Sequence, residues 1–259
     1  MSAADTPPVV LSIAGTDSGG AAGLAADLTT FADLGAHGAC TVTAVTAQDT
    51  TGVRTIHPVP VGVVADQLDA VLDDLPVAAA KTGMLGTPDV VALVARRLGG
   101  VGIPLVVDPV LVATTGAVLG DHDVARAYVE QLLPVATVTT PNLDEARALT
   151  GMDGSPARLA SVLSSHGPAV VLTGGGSSGT CTDWVAVPGQ PPVALTHPAV
   201  ETTSDHGTGC TFSAALTVHL VHHVPLTVAA RRAATYTAAQ LRLSQHWDLG
   251  RGRGPIAHT

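Results

Sequence analysis

The hydrophobic pattern of the chain alternates two kinds of segment. Short β-branched runs closed by glycine, proline or a polar residue recur at VVLSIAG (9 to 15), TVTAVTAQ (41 to 48), VAAAK (77 to 81), PLVVDPV (104 to 110), VATVTT (135 to 140) and AVVLTGG (169 to 175). Each is short enough and apolar enough to be a buried strand. Between them lie stretches with apolar residues at helical spacing. Leu24, Leu28 and Phe31 mark a helix from about 21 to 34, and Val64, Leu68, Val71, Leu72 and Leu75 mark one over 63 to 75. Further helices are expected over 89 to 98, through DVARAYVEQLL and NLDEARALTG, and near 157 to 164. Two long ones, 209 to 223 and 226 to 245, close the chain.

Strand–helix repetition predicts right-handed crossovers, and hence an α/β fold with a mostly parallel central sheet covered by helices on both faces. The rhythm breaks only at DWVAVPGQPPVALTHPAV (183 to 200), which reads as two β-like pieces forming an antiparallel edge. Neither an internal repeat nor a linker is visible, so residues 1–259 are expected to form one domain behind a flexible tail, 1 to 8. Open parallel sheets bind ligands beyond the carboxyl ends of their strands. The segments to search are therefore GTDSGGAAG, Gln48, TGML, DPVLVATTG, PNLDE, TGGG and DHGTGC.

Composition narrows the ligand. A net charge of -9 argues against nucleic acid or an anionic membrane as partner, because phosphate backbones are held by clustered Lys and Arg. A small molecule is the better expectation. Cys40, Cys181 and Cys210 are odd in number and lack CxxC spacing, which points to reduced thiols and a cytoplasmic location. No apolar run approaches the 18 residues or so of a membrane span. Lys81 is the only lysine, so any phosphate-binding lysine elsewhere is excluded.

Three of the strand ends carry candidate chemistry. In HGTGC the small residues let successive amides turn toward one point where a helix begins, an arrangement that attracts an anion. Cys210 stands there either as a reactive thiol with lowered pKa or as a small buried residue capping the helix. Asn142 and Glu145, three apart in the first turn after Pro141, either orient a hydrated Mg²⁺ near phosphates or form a capping box. GTDSGGAAGLAAD (15 to 27) is a phosphate cradle or a plain strand-to-helix turn. It lacks both the P-loop ending and the dinucleotide spacing. Asp27 reads as a solvated carboxylate among alanines, with room for a ligand contact, and Asp108 as a further carboxylate at a strand end.

Taken in order, IAGTDSGGAAGLAADLTTF, TAVTAQDT, KTGML, VVDPV, TPNLDEA and HGTGCTFSAAL resemble the hydroxymethylpyrimidine and hydroxymethylpyrimidine-phosphate kinases of thiamine biosynthesis. The resemblance is collinear from Val9 to the closing LGRGRGP. It implies a ribokinase-like three-layer α/β/α sandwich that uses ATP and Mg²⁺, with room for a monovalent cation, to phosphorylate a hydroxymethylpyrimidine and then its monophosphate. It implies a homodimer as well. Gly15, Asp27, Gln48, Met84 and Val110 would contact the pyrimidine. Gly207, Thr208 and Gly209 would form an anion hole, with Cys210 as base, and Asp108, Asn142 and Glu145 would serve metal and phosphate. Pyridoxal kinases share several of these motifs. The chain departs from the family pattern at Ala25, a usual glutamine, and at Thr114 and Thr173, two usual lysines. Weaker nucleotide affinity, altered acceptor choice or a non-catalytic binding protein are the consequences to test.

Overall fold

The structure is a computed structural model that describes residues 6–112, 116, 118–174 and 179–258. Thr114 and the end of TGGG lie outside these residues.

Among the described residues, eight strands form one sheet in the order β10-β9-β8-β7-β6-β5-β1-β2. Strands β1 (Val9–Ala14), β2 (His37–Val42), β5 (Val77–Thr82), β6 (Leu105–Val107), β7 (Val138–Thr139) and β8 (Ala169–Leu172) are parallel, and all six residues of β1 are buried. As the Pro-separated pattern predicts, β9 (Thr180–Ala186) and β10 (Val193–Pro198) extend the edge antiparallel. The chain winds from β1 outward to β2, then returns to the other side of β1 at β5. That reversal leaves a crevice at the carboxyl ends of β1 and β5, the place where open α/β sheets hold ligands.

Helices cover both faces. Aliphatic stripes of α2 (Val61–Asp74), α3 (Pro88–Leu98), α4 (His122–Ala127), α5 (Leu143–Thr150) and α6 (Pro156–Ser164) pack on one side. On the other, α7 (Thr208–Val221) lies between α1 (Gly23–Asp33) and α8 (Leu226–Ser244), with Phe31 against Ala214 and Val218. The alanine-rich α8 allows close helix–helix approach, so this layer is thin and its core is aliphatic. Tyr128, in a π turn (Tyr128–Leu132) after α4, is one of the few aromatic residues in the core, and its hydroxyl donates to Gly83 O at 3.1 Å.

Two sequence expectations are corrected. The run 41 to 48 is not one strand: it divides at Thr43, whose amide donates to Ala14 O at 3.0 Å and whose hydroxyl donates to Met84 O at 2.6 Å. Beyond this point β3 (Ala44–Asp49) leaves the main sheet and pairs antiparallel with β4 (Gly52–Pro58), a strand its alternating pattern did not reveal because it is mostly solvent-facing. The tail is held before residue 9, since Pro8 O accepts from His37 N at 2.9 Å.

Candidate active site

The loop after β1 is organised by Asp17. Its carboxylate accepts from the amides of Gly19 (2.8 Å), Ala21 (3.1 Å) and Ala22 (2.9 Å), and meets His206 Nε2 at 3.0 Å. Burial pushes the Asp17 carboxyl up, but His206 and the Gly19 and Ala22 amides outweigh it and hold the group below its ordinary value. Gly23 then starts α1 at φ +56, where a Cβ would stand 2.3 Å from Gly15 O. This loop is thus a carboxylate-pinned turn that docks against the segment before α7. Gly207 (φ +95) completes the docking: a Cβ there would lie 1.8 Å from Ala21 O. Neither Asp17 nor His206 was singled out as a site residue from the sequence. The signal was present in the DSGG spacing, an aspartate followed by small residues whose amides can turn back on it.

The crevice is a cavity of about 450 Å³ whose lining includes Gly15, Gln48, Met84 and Val110. Asp108, Asn142, Glu145, Gly207, Thr208, Gly209 and Cys210 line it as well. Gln48 Nε2 lies 3.0 Å from His206 Nε2, the ring nitrogen that also faces Asp17, so the side-chain amide at the cavity sits beside the same histidine. A second cavity, about 590 Å³, adjoins the first. The two share Asn142, Thr173, Asp205, Thr208 and Gly209. The N-terminus of α7 therefore separates two chambers and faces both.

Asp27 does not join this lining. It is fully buried, with Oδ1 accepting from Lys81 Nζ at 2.6 Å and Oδ2 from Ser12 Oγ at 2.5 Å. The expectation of a solvated carboxylate is corrected: Asp27 faces the sheet, and its charge is matched by the lysine of β5. Lys81 is equally buried and also lies 3.8 Å from Asp108 Oδ2. Burial opposes its charge, yet Asp27, Cys210 and Asp108 overcome that and raise its pKa. Ser213 Oγ donates to Asp108 Oδ2 at 2.9 Å, with the carbonyls of Gly209 (2.9 Å) and Cys210 (3.1 Å) as alternative acceptors. A buried chain from Asp27 through Lys81, Asp108 and Ser213 thus reaches the first turn of α7.

The anion-hole expectation changes in two details. The Thr208 amide is turned into a bond with Asp205 O at 3.2 Å, so it is not aimed at a ligand. Gly209 and Cys210 follow it in the first turn of α7, where amides lack intrahelical acceptors and remain to bind an anion. The Cys210 thiol is not lowered by the helix terminus. Burial pushes it up to about 12; Lys81 and the Gly23 amide pull it down, but Asp108 and Asp27 add to the rise. The sulfur lies among two carboxylates and one ammonium, so the resting group is the thiol.

Asn142 and Glu145 do form the capping box: Glu145 N donates to Asn142 Oδ1 and Asn142 N to Glu145 Oε2, each at 2.9 Å. The Glu145 carboxylate also accepts from the Leu111 amide, so the capping box and the loop after β6 together hold it at the cavity wall. Burial and the neighbouring Asp108 push the Glu145 carboxyl up to about 8, and burial likewise raises Asp108 despite Lys81 and Ser213. Two buried carboxyls that repel one another at a cavity wall form a hard-oxygen donor set that suits a divalent cation.

Two adjoining cavities that share the start of α7, beyond the strands of a three-layer α/β/α frame, fit a phosphotransferase of the ribokinase-like class. Residues 17–257 match the family model described as phosphomethylpyrimidine kinase. The chain is 43% identical over 256 residues to a hydroxymethylpyrimidine/phosphomethylpyrimidine kinase of Rhizobium meliloti, covering 96% of each. Among solved structures it resembles the pyridoxal kinase of Staphylococcus aureus in complex with ADP, with TM-score 0.88 and 32% identity over 98% of this chain and 94% of that one. It also resembles the phosphomethylpyrimidine kinase of Clostridium difficile, with TM-score 0.77 and 30% identity over 90% of this chain and 98% of that one. The chain belongs to the phosphomethylpyrimidine kinase family.

Proposed function

We propose that this chain transfers the γ-phosphoryl group of ATP to the hydroxymethyl oxygen of 4-amino-5-hydroxymethyl-2-methylpyrimidine, and then to the resulting monophosphate. The observation that carries the reading is the sharing of Thr208 and Gly209 by the two cavities. A pyrimidine between Met84, Gln48 and Val110 and a triphosphate in the second chamber bring the acceptor hydroxyl oxygen and the γ-phosphorus together at the start of α7. The new bond joins the acceptor oxygen to the γ-phosphorus as the bond to the β–γ bridging oxygen breaks.

Such transfer runs through a loose transition state with charge spread over the equatorial oxygens, so positioning and fixed donors supply most of the rate. The Gly209 and Cys210 amides are held for this by the Gly207–Ala21 docking and by Ser213. Asp108, Glu145 and Asn142 would hold Mg²⁺, which supplies charge neutralisation on the phosphates when bound. Cys210 borders the acceptor oxygen; once its own thiol proton has left to solvent, the thiolate takes the hydroxyl proton, with buried Lys81 as counter-charge. The monophosphate needs no such help, because its attacking oxygen is already largely deprotonated at neutral pH. The homodimer implied by the resemblance, and a monovalent cation that compensates for the lysines missing at Thr114 and Thr173, belong to the same proposal, tested by light scattering and by activity with and without K⁺.

Incubation with Mg-ATP and the pyrimidine is expected to yield the mono- and then the diphosphate by mass spectrometry. Absence of turnover beside an active control enzyme rejects the reading. A second reading, pyridoxal kinase, draws support from the TM-score of 0.88 to such an enzyme. Comparison of kcat/KM for pyridoxal and the pyrimidine decides between them. Thr173 keeps a third in view: its hydroxyl lies 3.5 Å from Pro141 O, and it brings no charge to the shared wall. Calorimetric pyrimidine binding without ATP binding would identify a non-catalytic relative.

A further inference from the structure

On the outer wall of the second cavity, β9 and β10 bring three dissimilar donors to one face. Cys181 and Asp183 are two apart on β9, and His197 is the cross-strand partner of Cys181, so all three side chains point the same way. The Cys181 sulfur, a carboxylate oxygen of Asp183 and a ring nitrogen of His197 lie within 4.8 Å of one another. All three line the cavity, and Cys181 and Asp183 are buried.

The surroundings orient these donors inward. Gly174 N donates to Asp183 Oδ1 at 2.9 Å, which leaves Oδ2 facing His197 Nε2 at 3.1 Å. On the far side of the ring, Nδ1 faces Pro198 O at 3.4 Å. Without a metal, Nε2–H donates to Asp183 Oδ2; with the ring proton on Nδ1 instead, the lone pair of Nε2 points at the cluster. Fixing the outer ring nitrogen and the outer carboxylate oxygen in this way is how outer partners set metal ligands. The Cys181 thiol meanwhile donates to Gly174 O at 2.8 Å.

Charge at this wall is poorly balanced. Asp183, Glu201 and Asp205 line the cavity, and the one Lys or Arg among its described lining residues, Arg253, is engaged with Asp205 through a bond from Nε to Oδ1 at 2.7 Å. Burial pushes the Cys181 thiol up to about 11, with Asp183 adding to the rise against the Thr182 amide. Burial also raises Asp183, although Gly174 and His197 pull it down.

We propose that Cys181, Asp183 and His197 form a binding site for a borderline-soft divalent cation of the Zn²⁺ type, with its fourth position open to the second cavity. Mixed sulfur, nitrogen and oxygen donors select Zn²⁺ or Co²⁺ over Mg²⁺. Bond lengths of about 2.0–2.3 Å place tetrahedral donor atoms roughly 3.5 Å apart. The Asp183–His197 pair is therefore nearly in place, and the sulfur, within 4.8 Å of both, moves in by at most about 1.3 Å. On binding, the thiol proton passes to solvent and the metal replaces it. The open position suits water or an oxyanion, and the ion would add positive charge to a wall rich in carboxylates. This site is separate from the Asp108, Asn142 and Glu145 set, and it does not depend on the acceptor assigned above.

The test is titration of the reduced, chelator-treated chain with Zn²⁺ and with Co²⁺. A single equivalent is expected to bind. The Co²⁺ form should show tetrahedral visible bands and a near-ultraviolet thiolate charge-transfer band. Cys181→Ser should abolish the charge-transfer band, whereas Cys40→Ser and Cys210→Ser should retain it. Affinity should rise by about tenfold per pH unit below the thiol pKa, because one proton is displaced. Zn²⁺ should raise the Tm of the parent chain but not of His197→Gln, a change at a half-buried edge position that the fold can accommodate. No stoichiometric binding by the parent chain overturns the proposal, as does a charge-transfer band that survives Cys181→Ser or vanishes with Cys210→Ser.

Discussion

Lys81 Nζ donates to Asp27 Oδ1 at 2.6 Å, and both side chains are closed off from solvent. The only lysine of the chain is therefore a core residue. Removal of one partner from a buried ion pair leaves an uncompensated charge, so Lys81→Met should destabilise the fold by about 3–5 kcal/mol. Asp27→Asn combined with Lys81→Met should recover much of that loss. Urea denaturation of the single and double variants gives the coupling, and a Lys81→Met chain as stable as the parent would show that the pair is not closed.

Cys210 yields a kinetic expectation. Because its thiol sits near 12, the thiolate fraction of the free enzyme grows throughout the accessible range. For the alcohol acceptor, kcat/KM should climb from pH 6 to 9 without a plateau. Cys210→Ala should remove the slope and lower kcat by about 10²–10⁴-fold, with little change in pyrimidine affinity. The same variant should lose far less activity toward the monophosphate acceptor. Equal losses with both acceptors would take proton transfer away from Cys210.

Gln48 borders the acceptor chamber beside His206, whereas Asp27 does not. Gln48→Ala should raise the pyrimidine KM at similar kcat. A KM unchanged in steady-state assays would remove Gln48 from the acceptor wall.

Gly207 is constrained twice, by its positive φ and by Ala21 O. Gly207→Ala has to separate the loop after β1 from α7, with a loss of more than about 1 kcal/mol of stability and a large fall in kcat. A Tm and kcat matching the parent would contradict the docking.

Asp17 provides a pH signature. Its carboxyl is lowered below the ordinary 3.8, so the native state holds fewer protons than the unfolded chain as acid titrates the latter. The stabilisation is fully present above pH 3.8 and is lost as pH falls through the lower, folded-state pKa. Asp17→Asn should therefore be less stable than the parent at pH 7, and the gap in Tm should close toward pH 2. A gap that is constant with pH would assign the carboxylate no electrostatic role.

The order of elements, the antiparallel edge and most of the cavity lining were legible in the chain, because periodicity and glycine-rich strand ends are local properties. Leu24 and Phe31 are buried in α1 as their spacing requires, and Gln48, Met84 and Cys210 line one cavity as the ordered motifs imply. Asp27 and Lys81 were not legible, since 54 positions separate them and only the packing of α1 over β1 and its neighbour β5 makes them partners. The Cys210 pKa belongs to the same class. A helix start implies a lowered thiol, but the balance is set by burial and by two carboxylates brought from β6 and α1. His206 meets Asp17 across 189 residues for that reason too. Local pattern thus determined which segments become strands, helices and loops. Tertiary packing decided which charges are buried together, because the strength of a charge depends on the neighbours and solvent it finally meets.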